Sequence, residues 1–282
     1  EVFVGNPAAD GGRVHLVSGR DGAVLRTYAP SVPSASFGWY VARVDDLDGD
    51  GTPDLAVGAP PGYGGEDPPK GAAYVFGSRS GRELRRFEGT RDGAGFGEQV
   101  AALGDLDGDG LGEIVVAAPG SNDQSRGLIG EVFVYSGVTG AELRRFTGTE
   151  RGDLFGRLIV GAGDVDGDTF EDLVIGAPWR RVGDADRVGR VELRSGRDGA
   201  LLATLTGDGA ESWFGWHVRP APDPGGERRP ALLIGSLQQP VGGVAAVGVV
   251  DWLVLRRGPS SAGNTSARHG TSKRGGRRSD IK

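Results

Sequence analysis

Residues 37–60 read FGWYVARVDDLDGDGTPDLAVGAP, and the stretch returns in register as 96–119, FGEQVAALGDLDGDGLGEIVVAAP, and as 155–178, FGRLIVGAGDVDGDTFEDLVIGAP. The interval is 59 residues, and a fourth Phe-Gly pair, Phe214-Gly215, keeps it. A fixed period of this size marks one supersecondary unit used repeatedly, because a unit too small to bury its own faces gains a core by stacking on its neighbours. The units run 37–95, 96–154 and 155–213, flanked by a partial unit at 1–36 and a degenerate one at 214–258.

Within each period four short apolar runs are separated by Gly, Pro, Asp and Asn. In 96–154 they are Glu98–Leu103, Glu113–Ala117, Gly130–Tyr135 and Glu142–Phe146. Their counterparts are Val41–Val44, Leu55–Val57, Ala72–Phe76 and Glu83–Phe87 one period earlier, and Leu158–Val160, Leu173–Ile175, Arg190–Leu193 and Leu201–Leu205 one period later. Runs of about five residues suit strands and are too short for helices. The spacing predicts an all-β fold over 1–258, a β-propeller of four-stranded blades. Residues 1–36 hold second, third and fourth strands, and 214–258 a first, a second and a weak third, so a partial propeller of 4–5 blades is expected. A complete five-bladed ring is the alternative. The absence of methionine, at residue 1 included, reads as a chain that is not a primary translation product, with room for further blades or domains in the uncut chain.

Glycine at 53 of 282 residues follows from many turns and does not signal disorder, because the glycines recur in register. The net charge of -6 hides an asymmetry: residues 259–282 carry six basic residues and one acidic, leaving the repeat region 26 basic and 37 acidic. An acidic body argues against nucleic-acid binding and fits cations. The tail 259–282, basic and rich in Gly, Ser and Arg, has little to bury and reads as disordered. Without cysteine there is no disulfide, thiolate metal site or thiol nucleophile. The most apolar run, Val241–Leu255, falls short of the ~20 residues a spanning helix needs and contains Asp251. It reads as a degenerate strand, and no membrane insertion is expected.

The chemistry lies in three acidic loops. Asp46, Asp48, Asp50 and Asp54 stand at positions 1, 3, 5 and 9 of the first; Asp105, Asp107, Asp109 and Glu113 of the second; Asp164, Asp166, Asp168 and Asp172 of the third. Position 7, which is Thr52, Leu111 or Phe170, would lend its carbonyl. Glycines at positions 4 and 6 let the backbone fold back so that hard oxygen ligands converge. Val57, Val116 and Ile175 stand where a helix-loop-helix calcium motif needs Glu, so these are calcium loops between strands. A solvated hairpin turn would use the same residue types, but two like charges 4 Å apart repel by about 1 kcal/mol in water and about 4 at an effective dielectric of 20. Ca²⁺ at three sites is the expectation, in affinity order first, second, third, because Thr169 takes the glycine place of the third loop. In the fourth unit Gly225 and Ala231 replace carboxylates, and no site is expected.

Phe-Gly, then Asp-x-Asp-Gly-Asp-Gly-x-x-Asp, then Gly58-Ala59-Pro60 or Gly176-Ala177-Pro178, resembles the FG-GAP repeats of the integrin α-subunit propeller and its bacterial relatives. Ala117-Ala118-Pro119 and Gly235-Ser236-Leu237 depart from the pattern. The resemblance implies propellers usually of seven blades and an extracellular, cell-surface or periplasmic setting.

His15, His217 and His269 have no recognisable catalytic partner, and no nucleophile elbow, phosphate loop or zinc spacing occurs. The reading is a non-enzymatic, calcium-stabilised module for protein or carbohydrate binding or adhesion. The alternative is a carbohydrate-active or phosphoesterase enzyme, or its accessory propeller. In a four-stranded meander the 1–2 and 3–4 connections share one face, where calcium sits, so a protein or glycan ligand is expected on the other. That face carries Tyr63, Asn122, Arg126, Trp179, Arg180, Arg181 and Trp213. Trp and Arg often dominate interfaces; Trp179 and Trp213 packing between blades is the alternative. Asn264-Thr265-Ser266 matches a glycosylation acceptor in the tail.

Overall fold

The computed structural model describes residues 1–7, 11–34, 36–61, 70–120, 128–221, 231–237, 249–255, 268–272 and 276–281. Every regular element among them is a β-strand. The chain divides into two compact units, Glu1–Thr147 and Gly148–Lys282, at a point inside the stretch read from sequence as one repeat domain.

The first unit opens with an antiparallel sheet of β1 (Val2–Asn6), β2 (Arg13–Val17) and β3 (Val24–Tyr28). Two four-stranded meanders follow. One is β4 (Tyr40–Arg43), β5 (Leu55–Ala59), β6 (Ala72–Phe76) and β7 (Glu83–Glu88); the other is β8 (Gln99–Leu103), β9 (Glu113–Ala118), β10 (Ile129–Tyr135) and β11 (Glu142–Arg151), whose last residues belong to the second unit. β5 and β6 are buried along their whole length because successive residues feed different cores. Leu55, Val57, Tyr74 and Phe76 pack with Val14, Tyr28 and Phe37, while Ala56, Ala73 and Val75 pack with Phe96, Val100, Ile114, Val116 and Phe133. Side chains alternate along a strand, so burial on both faces demands an unbroken apolar run.

The second unit holds β12 (Leu158–Gly163), β13 (Asp172–Ala177), β14 (Arg190–Arg194) and β15 (Leu201–Thr206), again a meander, and β16 (His217–Ala221) paired with β17 (Ala231–Ser236). Leu158, Val174, Val191 and Leu193 pack with Phe214, Val218, Leu232 and Ile234. The weak third strand of the fourth unit is β18 (Val249–Leu255), whereas Val241–Gly248 lie outside the described residues.

Within 259–282, β19 (Arg268–Ser272) pairs antiparallel with β20 (Gly276–Ile281), and β20 pairs in parallel with β18; the rest of that stretch lies outside the described residues. The physical reason is that an edge strand offers unpaired amides and carbonyls, which a partner satisfies through its main chain without an apolar side chain to bury.

The two Phe-Gly and Gly-Ala-Pro glycines explain the strict period. The Gly38, Gly97, Gly156 and Gly215 amides donate to the Gly58, Ala117, Gly176 and Gly235 carbonyls of their own sheets, at 3.0 to 3.2 Å. The Gly38, Gly97 and Gly215 carbonyls also lie against the preceding sheet: a Cβ on Gly58 would fall 2.1 Å from the Gly97 oxygen, one on Gly5 2.0 Å from that of Gly38 and one on Gly176 2.8 Å from that of Gly215. Backbone meets backbone there, so nothing flexible can yield. Gly58→Ala is expected to cost about 1–3 kcal/mol through forced separation of the sheets. Gly49→Ala, at φ +74 with open space around its Cβ, costs about 1 kcal/mol from backbone strain alone. Urea unfolding of the two variants checks the ranking.

Candidate metal centres

Loop 1 (Asp46–Asp54) joins β4 to β5, loop 2 (Asp105–Glu113) joins β8 to β9, and loop 3 (Asp164–Asp172) joins β12 to β13. The first carboxylate gathers each loop around itself. Asp46 accepts the amides of Gly49, Asp50 and Gly51 at 2.8, 3.0 and 2.7 Å. Asp105 accepts those of Gly108 and Gly110 at 2.7 and 2.9 Å, and Asp164 those of Gly167, Asp168 and Thr169 at 2.6, 3.1 and 3.2 Å. The fifth carboxylates Asp50, Asp109 and Asp168 accept the position-7 amides of Thr52, Leu111 and Phe170 at 2.9, 3.0 and 3.0 Å. Position 6 is left-handed throughout: Gly51 has φ +85, Gly110 +93 and Thr169 +78, so the threonine carries the strain its place in the sequence predicts.

The ninth carboxylate lies deepest. Asp54, Glu113 and Asp172 are each 0% exposed. One oxygen accepts the position-2 amide, from Leu47, Leu106 or Val165, at 2.8, 2.6 and 2.8 Å. The other accepts the amide 24 residues on, from Ser78, Gly137 or Gly196, at 3.0, 3.3 and 3.0 Å, in the turn between third and fourth strands. Burial raises the pKa of Asp54 and Glu113 and pushes Asp172 up to about 6, against the pull of these amides, and neighbouring carboxylates push the same way.

Three carboxylates in each loop bring oxygens within 4.8 Å of one another: Asp46, Asp48 and Asp50; Asp105, Asp107 and Glu113; Asp164, Asp166 and Asp172. Asp54, Asp109 and Asp168 complete the loops through the amide bonds above. Hydroxyls of the 3–4 turns, which sequence reasoning missed, join in: Ser80 Oγ donates to Asp48 at 3.2 Å and Ser136 Oγ to Asp109 at 3.0 Å. Asp48 Oδ1 is buried with no hydrogen-bond partner among the described residues. An oxygen-only donor set, an orphaned carboxylate oxygen and a buried ninth carboxylate together fit a hard divalent cation.

The opposite connections are wired differently. Tyr63, Asn122 and Arg126 lie outside the described residues. In the second unit the Trp179 and Trp213 rings meet edge-to-face at 6.1 Å, and Trp216, which the sequence reading did not single out, stands 5.1 Å from Trp213. Arg187 covers the Trp179 ring at 5.4 Å and Arg157 the Trp216 ring at 4.9 Å. Glu211 joins Arg187 at 3.1 Å to the Trp213 indole N–H, also at 3.1 Å. Arg180 reaches Glu150 at 3.0 Å, Asp153 at 3.5 Å and Thr149 Oγ1 at 2.9 Å, while the more exposed Arg181 pairs with Asp186 at 2.7 Å. The structure thus gathers Trp179 with Trp213 and ties Arg180 down.

The FG-GAP repeat family model matches residues 37–76, 96–135 and 156–191, one match over each acidic loop. The chain belongs to the FG-GAP repeat family, and its four-stranded sheets are blades of a β-propeller. It is 32% identical to chicken (Gallus gallus) integrin alpha-V over 180 residues, 59% of this chain and 17% of the relative. To Xenopus laevis integrin alpha-5 it is 31% identical over 228 residues, 75% of this chain and 21% of the relative. The chain therefore matches at most about a fifth of the length of these two relatives. Among solved structures, the Dos1 propeller aligns over 86% of this chain and 51% of its own at 10% identity, with a TM-score of 0.49.

Asp153 yields a pH test. It is 3% exposed, and burial pushes its pKa up to about 6 from 3.8, outweighing the Phe155 amide and Arg180. A carboxyl whose pKa is raised by folding stabilises below its unfolded pKa, and that stability is lost as pH rises through the folded value. Asp153→Asn should remove a loss on the order of 2–3 kcal/mol between pH 4 and 7 relative to the parent. Parallel denaturation curves across that range check it.

Proposed function

We propose that the chain is a non-enzymatic propeller module whose three acidic loops bind Ca²⁺, and which serves protein or carbohydrate binding or adhesion in an extracytoplasmic setting. The recurrence of one hydrogen-bond scheme in all three loops carries the reading. Each scheme commits backbone N–H groups to a carboxylate cage whose deepest carboxylate is held by main-chain amides. Asp46, Asp48, Asp50 and Asp54 would hold the ion in loop 1, with Asp105, Asp107, Asp109 and Glu113 in loop 2 and Asp164, Asp166, Asp168 and Asp172 in loop 3. The carbonyls of Thr52, Leu111 and Phe170 would add to them. A bound Ca²⁺ supplies charge compensation; the many protein oxygens favour it over Mg²⁺, which keeps its waters. Among the described residues no helix is long and apolar enough to cross a membrane.

For the ligand, Trp179 and Arg181, on a connection fastened by Arg180, and Trp213 against the Trp179 ring offer an aromatic and cationic surface, and a rigid loop loses little freedom on binding. The integrin relatives support a protein partner by similarity. Alanine at Trp179, Arg180 and Arg181, screened with the parent against glycans and matrix proteins in calcium, tests the face. Unchanged binding together with lowered stability would make these residues core.

Chelation tests the cation. At about 100-fold excess over its dissociation constant each loaded site adds about 2.7 kcal/mol, so calcium should raise the melting temperature and a chelator should lower it. Thr169→Gly should tighten loop 3 by about 1 kcal/mol, roughly fivefold, by removing left-handed strain. A melting temperature indifferent to calcium and chelator contradicts the reading.

A further inference from the structure

The two acidic loops of the first unit are joined by a residue outside both ligand sets. Asp45 stands immediately before loop 1. Its carbonyl accepts the Asp54 amide at 3.2 Å, closing the loop's stem. Its side chain reaches across to loop 2, where Oδ2 accepts the Gly112 amide at 2.7 Å. Gly112 precedes the buried Glu113, and a Cβ there would fall 2.3 Å from the Leu103 carbonyl and 2.9 Å from Asp45 Oδ2. Glycine at 112 therefore belongs to the contact. Leu47 of loop 1 makes a second approach: its Cδ2 would be 3.2 Å from a Cβ on Gly137, whose amide bonds Glu113. Asp46 is thus one peptide away from a contact whose far end is one peptide from Glu113. Loops 2 and 3 begin after Gly104 and Gly163, so neither has a side chain at the place of Asp45.

We propose that Asp45 couples loops 1 and 2, so that a divalent cation in either raises the affinity of the other. The proposal rests on the cation reading above. Fixing Asp46 on an ion fixes the backbone at Asp45, whose carboxylate then holds Gly112 and with it the main chain of Glu113. Loop 2 has less freedom left to lose when its own ion arrives. By linkage the effect is reciprocal: an ion in loop 2 holds Gly112, and through Asp45 steadies the stem of loop 1.

The experiment is calcium titration by isothermal calorimetry of the full chain, with loop 3 disabled by Asp166→Asn and Asp168→Asn so that loops 1 and 2 alone report. Loop 2 is then disabled as well, by Asp107→Asn and Asp109→Asn, in parent, Asp45→Ala and Asp45→Asn backgrounds. Disabling loop 2 should weaken loop 1 about fivefold or more in the parent and in Asp45→Asn, whose amide oxygen still accepts from Gly112, and less than about twofold in Asp45→Ala. Melting curves without calcium establish that each variant is folded; Asp45 is exposed, and Asp45→Asn keeps the acceptor should the alanine prove disruptive. Loop 1 indifferent to loop 2 in the parent, or equally weakened in Asp45→Ala, overturns the coupling while leaving calcium binding intact. No calcium heat from any loop would refute the cation reading and the coupling together.

Discussion

A buried carboxylate held by backbone amides is the constraint on which three of the sheets turn. Asp54, Glu113 and Asp172 have no exposed surface, and each spends one oxygen on its own loop and the other on the turn between the third and fourth strands. That one group ties two connections of a blade together and fixes where the remaining carboxylates point. Backbone amides lower its cost without cancelling it, since an N–H dipole is a fraction of a charge and desolvation of an ion costs several kcal/mol. Burial accordingly wins, and their pKa values are raised. The buried charge is the physical argument for a cation.

Between sheets the governing fact is close approach of backbone. Gly58 admits the Gly97 carbonyl and Gly5 that of Gly38 at distances no Cβ allows. Aromatic residues fill the space around them: Phe37 meets Tyr74 and Phe76 edge-on at 5.4 and 5.7 Å. The motif residues therefore divide the work. Phe and the apolar run supply the core, the glycines set the distance between sheets, and the acidic loop closes one end.

Much of this was legible because it repeats. Ala72–Phe76 emerged with the bounds read from sequence, and Leu55–Val57 grew only to Leu55–Ala59, since apolar runs end where Gly, Pro or Asp begin. Thr169 was recognisable as strained from its place in a glycine column. What stayed hidden depends on contacts between distant segments. The amides of Ser78, Gly137 and Gly196 carry no chemical label, although their constant offset of 24 from the ninth carboxylate was visible in the repeat. Glu142–Phe146 extended to Glu142–Arg151 because pairing outran the apolar pattern. The strands at 268–272 and 276–281 rest on main-chain pairing, which composition does not report. Trp216 and Arg187 became part of the tryptophan cluster through folding of the 178–189 connection, which has no equivalent sequence in the other units.

The most direct measurement is a crystal structure of the chain grown in calcium, with anomalous scattering collected at a wavelength where calcium contributes. The account predicts one anomalous peak in each of loops 1, 2 and 3, coordinated by Asp46, Asp105 and Asp164 and by the carboxylates at positions 3, 5 and 9. Ordered loops that keep their amide bonds and show no peak in saturating calcium would contradict it.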